Sequence, residues 1–203
     1  MSEPLILEFQ PDNPCNSIIT SQSTGEHLYT VRTDVGDKDS VTTVLDSNGK
    51  ELAHWVWREH RSDLLTFTSV YGASAKPLSA SAWLSSSIIP FNDSVTFKDL
   101  QKRTWKWKGN SAGSNLQLFS ATDKANPVAG FKKHHKYKDS KSGEQVDDPA
   151  TLTVTAAGSE ILDMVLVSFL LLEKERRIRE KSAVSMASSL AIPHAVDVGL
   201  PKA

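Results

Sequence analysis

Cysteine is almost absent from this chain. Cys15 stands alone, so neither an intramolecular disulfide nor a cysteine-based metal cluster can be built. It lies in "PDNPCNS" among turn formers and reads as an incidental loop cysteine. An excess of one charge is lacking as well. The 23 Lys and Arg against 24 Asp and Glu leave a formal net charge of −1. No global field therefore favours nucleic acid or a membrane, and an electrostatic partner has to be met by a local patch. Catalytic signatures are missing too: there is no Gly-rich phosphate loop, no nucleophile elbow and no HExxH. The sequence does not point to an enzyme, and no cofactor and no metal are implied. The start, "MSEPLILEFQPD", carries an acid at Glu3 and no basic region, which is not a secretory signal. The expectation is a cytoplasmic protein, at most peripheral to a membrane or shared with the nucleus.

What is present, over most of the 203 residues, is a series of short extended segments broken by turns. "LILEF" opens, followed by "HLYTVRT", the β-branched "VTTVLD", "ELAHWVWREH" and "DLLTFTSV". Later come "SVTFKDL", "RTWKWKG", "NLQLFSA", "PVAGFKKHH" and "ATLTVTA". Asn48-Gly49 between two of these reads as a hairpin turn with both central residues at positive φ. Such spacing predicts an antiparallel sandwich or barrel. Two stretches break the pattern. Residues 72–90 are rich in Ser and Ala and read as a loop or irregular edge, and "YKDSKSGEQVDDP" (137–149) reads as a flexible insertion. The predicted organisation is an N-terminal segment with the first strand over 1–24, a main domain over 25–181 and a disordered tail over 182–203.

Within that domain, "GSEILDMVLVSFLLLEKERRIREK" (158–181) predicts a helix over about 159–181. Ser159 suits an N-cap, with Glu160 in the first turn. From Ile161 to Leu172 only Asp163 and Ser168 are polar, so apolar side chains cover every face. A helix apolar all round must be surrounded by protein or by lipid. Its apolar run of about 18 Å is too short for a hydrocarbon layer of about 30 Å, so no transmembrane segment is expected. An enclosing sheet remains: a closed antiparallel β-barrel of about twelve strands around a buried C-terminal helix. The abrupt charge from Glu173 onward then reads as the helix leaving the barrel mouth into water.

There is a hint of repetition. "LDSNGKELAHWVW" and "ATDKANPVAGF" both run as Asp, turn, small apolar pair, aromatic, so that Asp46 answers Asp123 and Trp55 answers Phe131. A many-stranded barrel around a late apolar helix resembles the tubby C-terminal-like superfamily, which includes tubby domains, phospholipid scramblases and plant LURP-one-related proteins. The repeated hairpin is similar to the two-fold repeat of the LURP-one-related branch. The paired tryptophans (Trp55/Trp57 and Trp105/Trp107), "NPVAGF" and "ILDMVLVSFLLLEKERRIR" more closely resemble an uncharacterised domain family abundant in mushroom-forming fungi. The resemblance covers about residues 25–180.

Candidate chemistry is sparse. On a strand, His54 and His60 lie roughly 20 Å apart, and exposed histidines are a better reading than a zinc site with His134 and His135. Asp34, Asp37 and Asp39 lack the acid at the twelfth position of a calcium loop. "RTWKWKG" places Trp105 and Trp107 on one face and Lys106 and Lys108 on the other, which reads as a half-buried strand. Basic residues concentrate over 98–108 and 132–141, and the candidate ligand-binding patch is Lys102, Arg103, Lys106, Lys108, Lys132, Lys133 and Lys136. The resemblance implies a use for it, since tubby domains bind phosphoinositide headgroups through lysines and arginines, although no motif carries those residues over singly. The leading expectation is a non-enzymatic binding or scaffold module contacting anionic phospholipid headgroups. The alternative is a protein-interaction or accessory protein of a fungal secondary-metabolite or developmental pathway with no small ligand. Nucleic acid is not expected as a partner.

Overall fold

A computed structural model describes residues 3–87, 89, 92–140 and 143–190. The chain runs β1 (Leu5–Gln10), β2 (Ser17–Ser21), β3 (His27–Val35), β4 (Ser40–Asp46), β5 (Glu51–Val56) and β6 (Leu64–Phe67). Short elements follow: α1 (Thr68–Tyr71), β7 (Leu78–Ser79), α2 (Ala80–Trp83) and β8 (Ser85–Ser86). Then come β9 (Val95–Lys98), β10 (Thr104–Lys108), β11 (Gln117–Ser120), β12 (Pro127–Lys132), β13 (His135–Lys138), β14 (Gln145–Asp148) and β15 (Ala150–Val154), closed by α3 (Ala156–Ser159) and α4 (Leu162–Leu190). The protein is mainly β, with one large antiparallel sheet and one long C-terminal helix.

The sheet is not a closed barrel, which corrects the expectation from sequence. Its thirteen strands run β7-β6-β5-β4-β3-β2-β1-β15-β12-β11-β10-β9-β8, and the end strands β7 and β8 do not pair with each other. The reason lies in what joins them. β7 and β8 are two residues each, and the four-residue α2 between them packs against β7, β8 and β9 instead of letting a ladder form. Trp83 of α2 packs edge-to-face on Phe67 of β6 (ring centroids 4.8 Å apart) and at a tilt on Phe97 of β9 (5.2 Å). An aromatic wedge, rather than backbone hydrogen bonds, fills the gap where the sheet ends approach. A helix that is apolar all round needs surrounding side chains, and side chains do not require a complete ring of strands.

The first half of α4 is surrounded as its composition demands. Val165, Leu166, Val167 and Leu170 have no exposure at all. Phe169 packs on Phe9 of β1 and Phe131 of β12, 5.5 and 4.5 Å between centroids. Inward residues alternate along β10, as Trp105 and Trp107, and along β12, as Ala129 and Phe131, where Val128 is buried as well.

Further expectations change. The helix does not start at a Ser159 cap: Ser159 closes the short α3, its hydroxyl donates to the Thr155 carbonyl, and α4 begins at Leu162. Nor does the helix enter water at Glu173. Glu173, Lys174 and Arg176 are buried. The Arg176 guanidinium donates to Glu173 (2.8 and 2.5 Å) and to the Ser114 carbonyl (2.5 Å). Arg177 donates to Glu173 (2.8 Å) and to Asp12, while Lys174 pairs with Asp63 and lies 3.9 Å from the centre of the Trp57 ring. A charged layer thus caps the apolar interior, tolerable because each charge is paired and hydrogen-bonded. α4 then continues past residue 181 to Leu190, and the remainder of the expected tail lies outside the described residues. Finally, the polar insertion of 137–149 contributes to a separate two-stranded sheet of β13 and β14.

Candidate functional site

The basic residues are best understood from the β9–β10 hairpin. The pairs Trp105↔Phe97 and Trp107↔Val95 face inward, and Thr104↔Lys98 and Lys106↔Thr96 face outward. Lys98, Lys106 and Lys108 therefore share the outer face, Lys98 and Lys106 as diagonal neighbours about 7–8 Å apart. Lys108 lies 4.1 Å from the centre of the Phe119 ring on β11 and covers it from solvent.

The turn that joins β9 to β10 is built around Asp99. Its Oδ1 accepts the backbone N–H of Gln101 (2.9 Å) and Arg103 (2.8 Å), and its Oδ2 accepts Arg103 Nε (2.6 Å) and Trp105 Nε1 (3.1 Å). Burial opposes ionisation, but these donors hold the Asp99 carboxyl below its ordinary range. Arg103 also reaches Glu160, 2.8 Å away, and ties the turn to the segment between α3 and α4. The fourth turn residue, Lys102, has φ +62°, the one non-glycine in the left-handed region among the described residues.

A second turn has the same wiring. Asp46 Oδ1 accepts the N–H of Asn48 (2.9 Å) and Lys50 (2.8 Å), and Gly49 takes φ +77°. Asn48 does not have positive φ, so the turn is a three-residue loop with a left-handed glycine rather than the two-residue form expected from Asn-Gly. The Asp123 turn uses its carboxylate similarly, accepting the N–H of Ala125 and Asn126. In hydrogen-bond pattern, however, Asp46 is matched more closely by Asp99, a likeness the sequence comparison with Asp123 missed.

The structure divides the seven candidates. Lys132 pairs with Asp148 (2.9 Å), Lys133 with Glu180 (3.1 Å) and Lys136 with Asp147 (2.9 Å), so the β12–β14 segment is largely neutralised. Arg103 is held by Asp99 and Glu160. Among the described residues Lys102, Lys106 and Lys108 make no ion pair. Lys98, counted in the basic segment but not in the candidate patch, joins them. The two segments do not merge directly, since β11 lies between β10 and β12 and presents Gln117 outward.

Elsewhere the chemistry is quiet. No group of three or more His, Cys, Asp or Glu among the described residues could hold a metal ion. The Cys15 thiol is buried and pushed up to about 11, which makes it a poor nucleophile. A cleft of about 640 Å³ beside the start of α4 is lined by Leu100, Gln101, Glu160 and Asp163, among others. A second, of about 500 Å³, lies beside Trp57, Lys174 and Arg177 at the charged layer. No helix of the described residues is long and apolar enough to cross a membrane.

Fold and site together define a β protein built on one enclosed helix, with an outward lysine strip on one hairpin. The chain belongs to the family of unknown function DUF6593, whose model matches residues 12–178. No curated protein matches it. Among solved structures it is similar to the X-ray structure of the Arabidopsis thaliana protein AT5G01750, with 15% identity over 82% of this chain and 90% of that one and a TM-score of 0.33.

Proposed function

We propose that the protein is a binding module whose β9–β10 hairpin contacts anionic phospholipid headgroups at a membrane surface. The observation that carries this reading is the set of four lysines, Lys98, Lys102, Lys106 and Lys108, gathered on one hairpin with no ion pair among the described residues. The neighbouring outward positions, Thr96, Thr104 and Gln117, bring no opposing charge. The resemblance to tubby-like proteins supports the same chemistry. Each lysine near an anionic leaflet contributes about 1 kcal/mol, so the strip supplies about 4 kcal/mol, enough for reversible peripheral contact that salt weakens.

Co-sedimentation tests it. The protein should pellet with phosphatidylcholine vesicles doped with a phosphoinositide and not with phosphatidylcholine alone. The triple variant K98E/K106E/K108E should lose most of that binding. K132E/K133E/K136E should lose less, because those charges are already paired. Failure to pellet, or full binding by the first variant, overturns the reading. Capture of the protein by a protein partner without any vesicle binding would favour the scaffold alternative.

A further inference from the structure

We infer that the β9–β10 turn inserts Leu100 into the lipid interface, making the hairpin a two-part membrane anchor of cationic strip and apolar tip. The inference rests on the headgroup reading above and adds the acyl-side contact to it. It is carried by the comparison of the two Asp-centred turns within this one chain. They share the same carboxylate-to-backbone bonds, so they impose the same demands on their tips. At Asp46 the tip reads Ser47-Asn48-Gly49, which is what the geometry favours: polar residues in water and glycine at positive φ. At Asp99 it reads Leu100-Gln101-Lys102. Both departures from the sister turn are unfavourable in a protein alone in water. Leu100 leaves 60% of its surface exposed, and Lys102 holds a left-handed conformation at φ +62°. Turn geometry explains neither residue. An interface that is apolar below and anionic above accommodates both, with Leu100 entering and Lys102 meeting headgroups beside Lys98.

The surroundings fit insertion. The turn is pre-organised by its four bonds to Asp99 and by Arg103 bridging to Glu160, so ordering it on the membrane costs little. Two acids beside it are partnered: Asp99 and Glu160 are both bonded by Arg103. A lysine strip alone gives weak, salt-sensitive attachment, and stable attachment takes a second, apolar signal.

The test places a single reporter at each sister turn. Leu100→Cys and, separately, Ser47→Cys are labelled with an environment-sensitive fluorophore, the native Cys15 thiol being buried. On addition of phosphoinositide-doped vesicles carrying nitroxide lipids, the label at 100 should shift blue and be quenched, and the label at 47 should do neither. Leu100→Ser, which copies the sister turn, should weaken vesicle partition by about ten- to a hundredfold. It should leave binding of a soluble inositol phosphate unchanged, which separates a lipid from a free phosphate as the ligand. If the wild type pellets while both labels respond alike and Leu100→Ser partitions normally, the insertion is wrong and the headgroup reading stands. If the wild type does not pellet at all, both fall together.

Discussion

Trp107 Nε1 donates to the hydroxyl of Ser168, 2.9 Å away, across the interior from β10 to α4. Both residues are fully buried. The Ser168 hydroxyl in turn donates to the Val165 carbonyl at 3.0 Å, so both its roles are filled. A polar residue inside an apolar helix is thereby explained: it answers the indole N–H that a large aromatic brings into the core. Replacing Ser168 by Ala should therefore cost about 1–3 kcal/mol, because the indole N–H is left buried without a partner. The double variant S168A/W107F should show coupling of about 0.5–3 kcal/mol relative to the two single changes. Urea midpoints of the four proteins measure this, and strict additivity would show that the bond contributes nothing.

The charged layer above the core yields a second prediction. Arg176 is as buried as the leucines below it and carries two donors to Glu173. Arg176→Met should cost about 3 kcal/mol, since it leaves Glu173 buried with Arg177 as its remaining partner. Changing both, R176M/E173L, should recover much of the loss, because no unpaired charge then stays inside. Thermal unfolding of the two variants distinguishes a layer that stabilises from one that only has to be internally neutral.

These two cases also show how far the sequence could be read. The helix was legible because eight apolar residues from Met164 to Leu172 cover all faces, a signal that depends on neighbours in the chain. The charge after Leu172 reads locally as an exit into water, since the partners that make burial tolerable (Asp12, Asp63 and the Ser114 carbonyl) lie far away in sequence. The need to enclose α4 suggests a barrel, but enclosure is silent on whether strands or the Trp83 wedge fill the last gap. The basic patch divided on the same principle. Lys102, Lys106 and Lys108 belong to one local hairpin. Lys132, Lys133 and Lys136 are paired by acids on β14 and α4, which no local pattern reveals.

The sister turns make a third prediction independent of lipid. Lys102→Gly should raise stability by about 0.5–1 kcal/mol, as the left-handed strain is relieved against glycine's larger entropy in the unfolded chain. Gly49→Lys should lower it by a similar amount. Denaturant midpoints report both. If Lys102→Gly destabilises instead, the Lys102 side chain makes a contact that outweighs its backbone strain.

The last prediction concerns pH. Burial pushes the Asp163 carboxyl above its ordinary value of 3.8. A raised carboxyl binds its proton more tightly in the folded state than in the unfolded one, so the folded chain holds more protons between the two values. Stability then falls as pH rises through that window, the reverse of a salt-bridged aspartate. At acid pH both states are protonated and the group contributes no difference. Above the folded value the whole penalty is present. Asp163→Asn removes the titration and keeps a polar side chain of the same shape. Its stability relative to wild type should therefore increase as pH is raised from below 3.8 toward neutrality, then level off. The first turn of α4 opposes this, because its exposed N–H groups favour an anion by about 0.3–1 kcal/mol. The offset between the two proteins can thus take either sign, but its slope with pH can take only one. Urea unfolding of both proteins across that range measures the slope. A flat or inverted difference would mean that Asp163 is solvated or paired well enough to ionise at its usual pH.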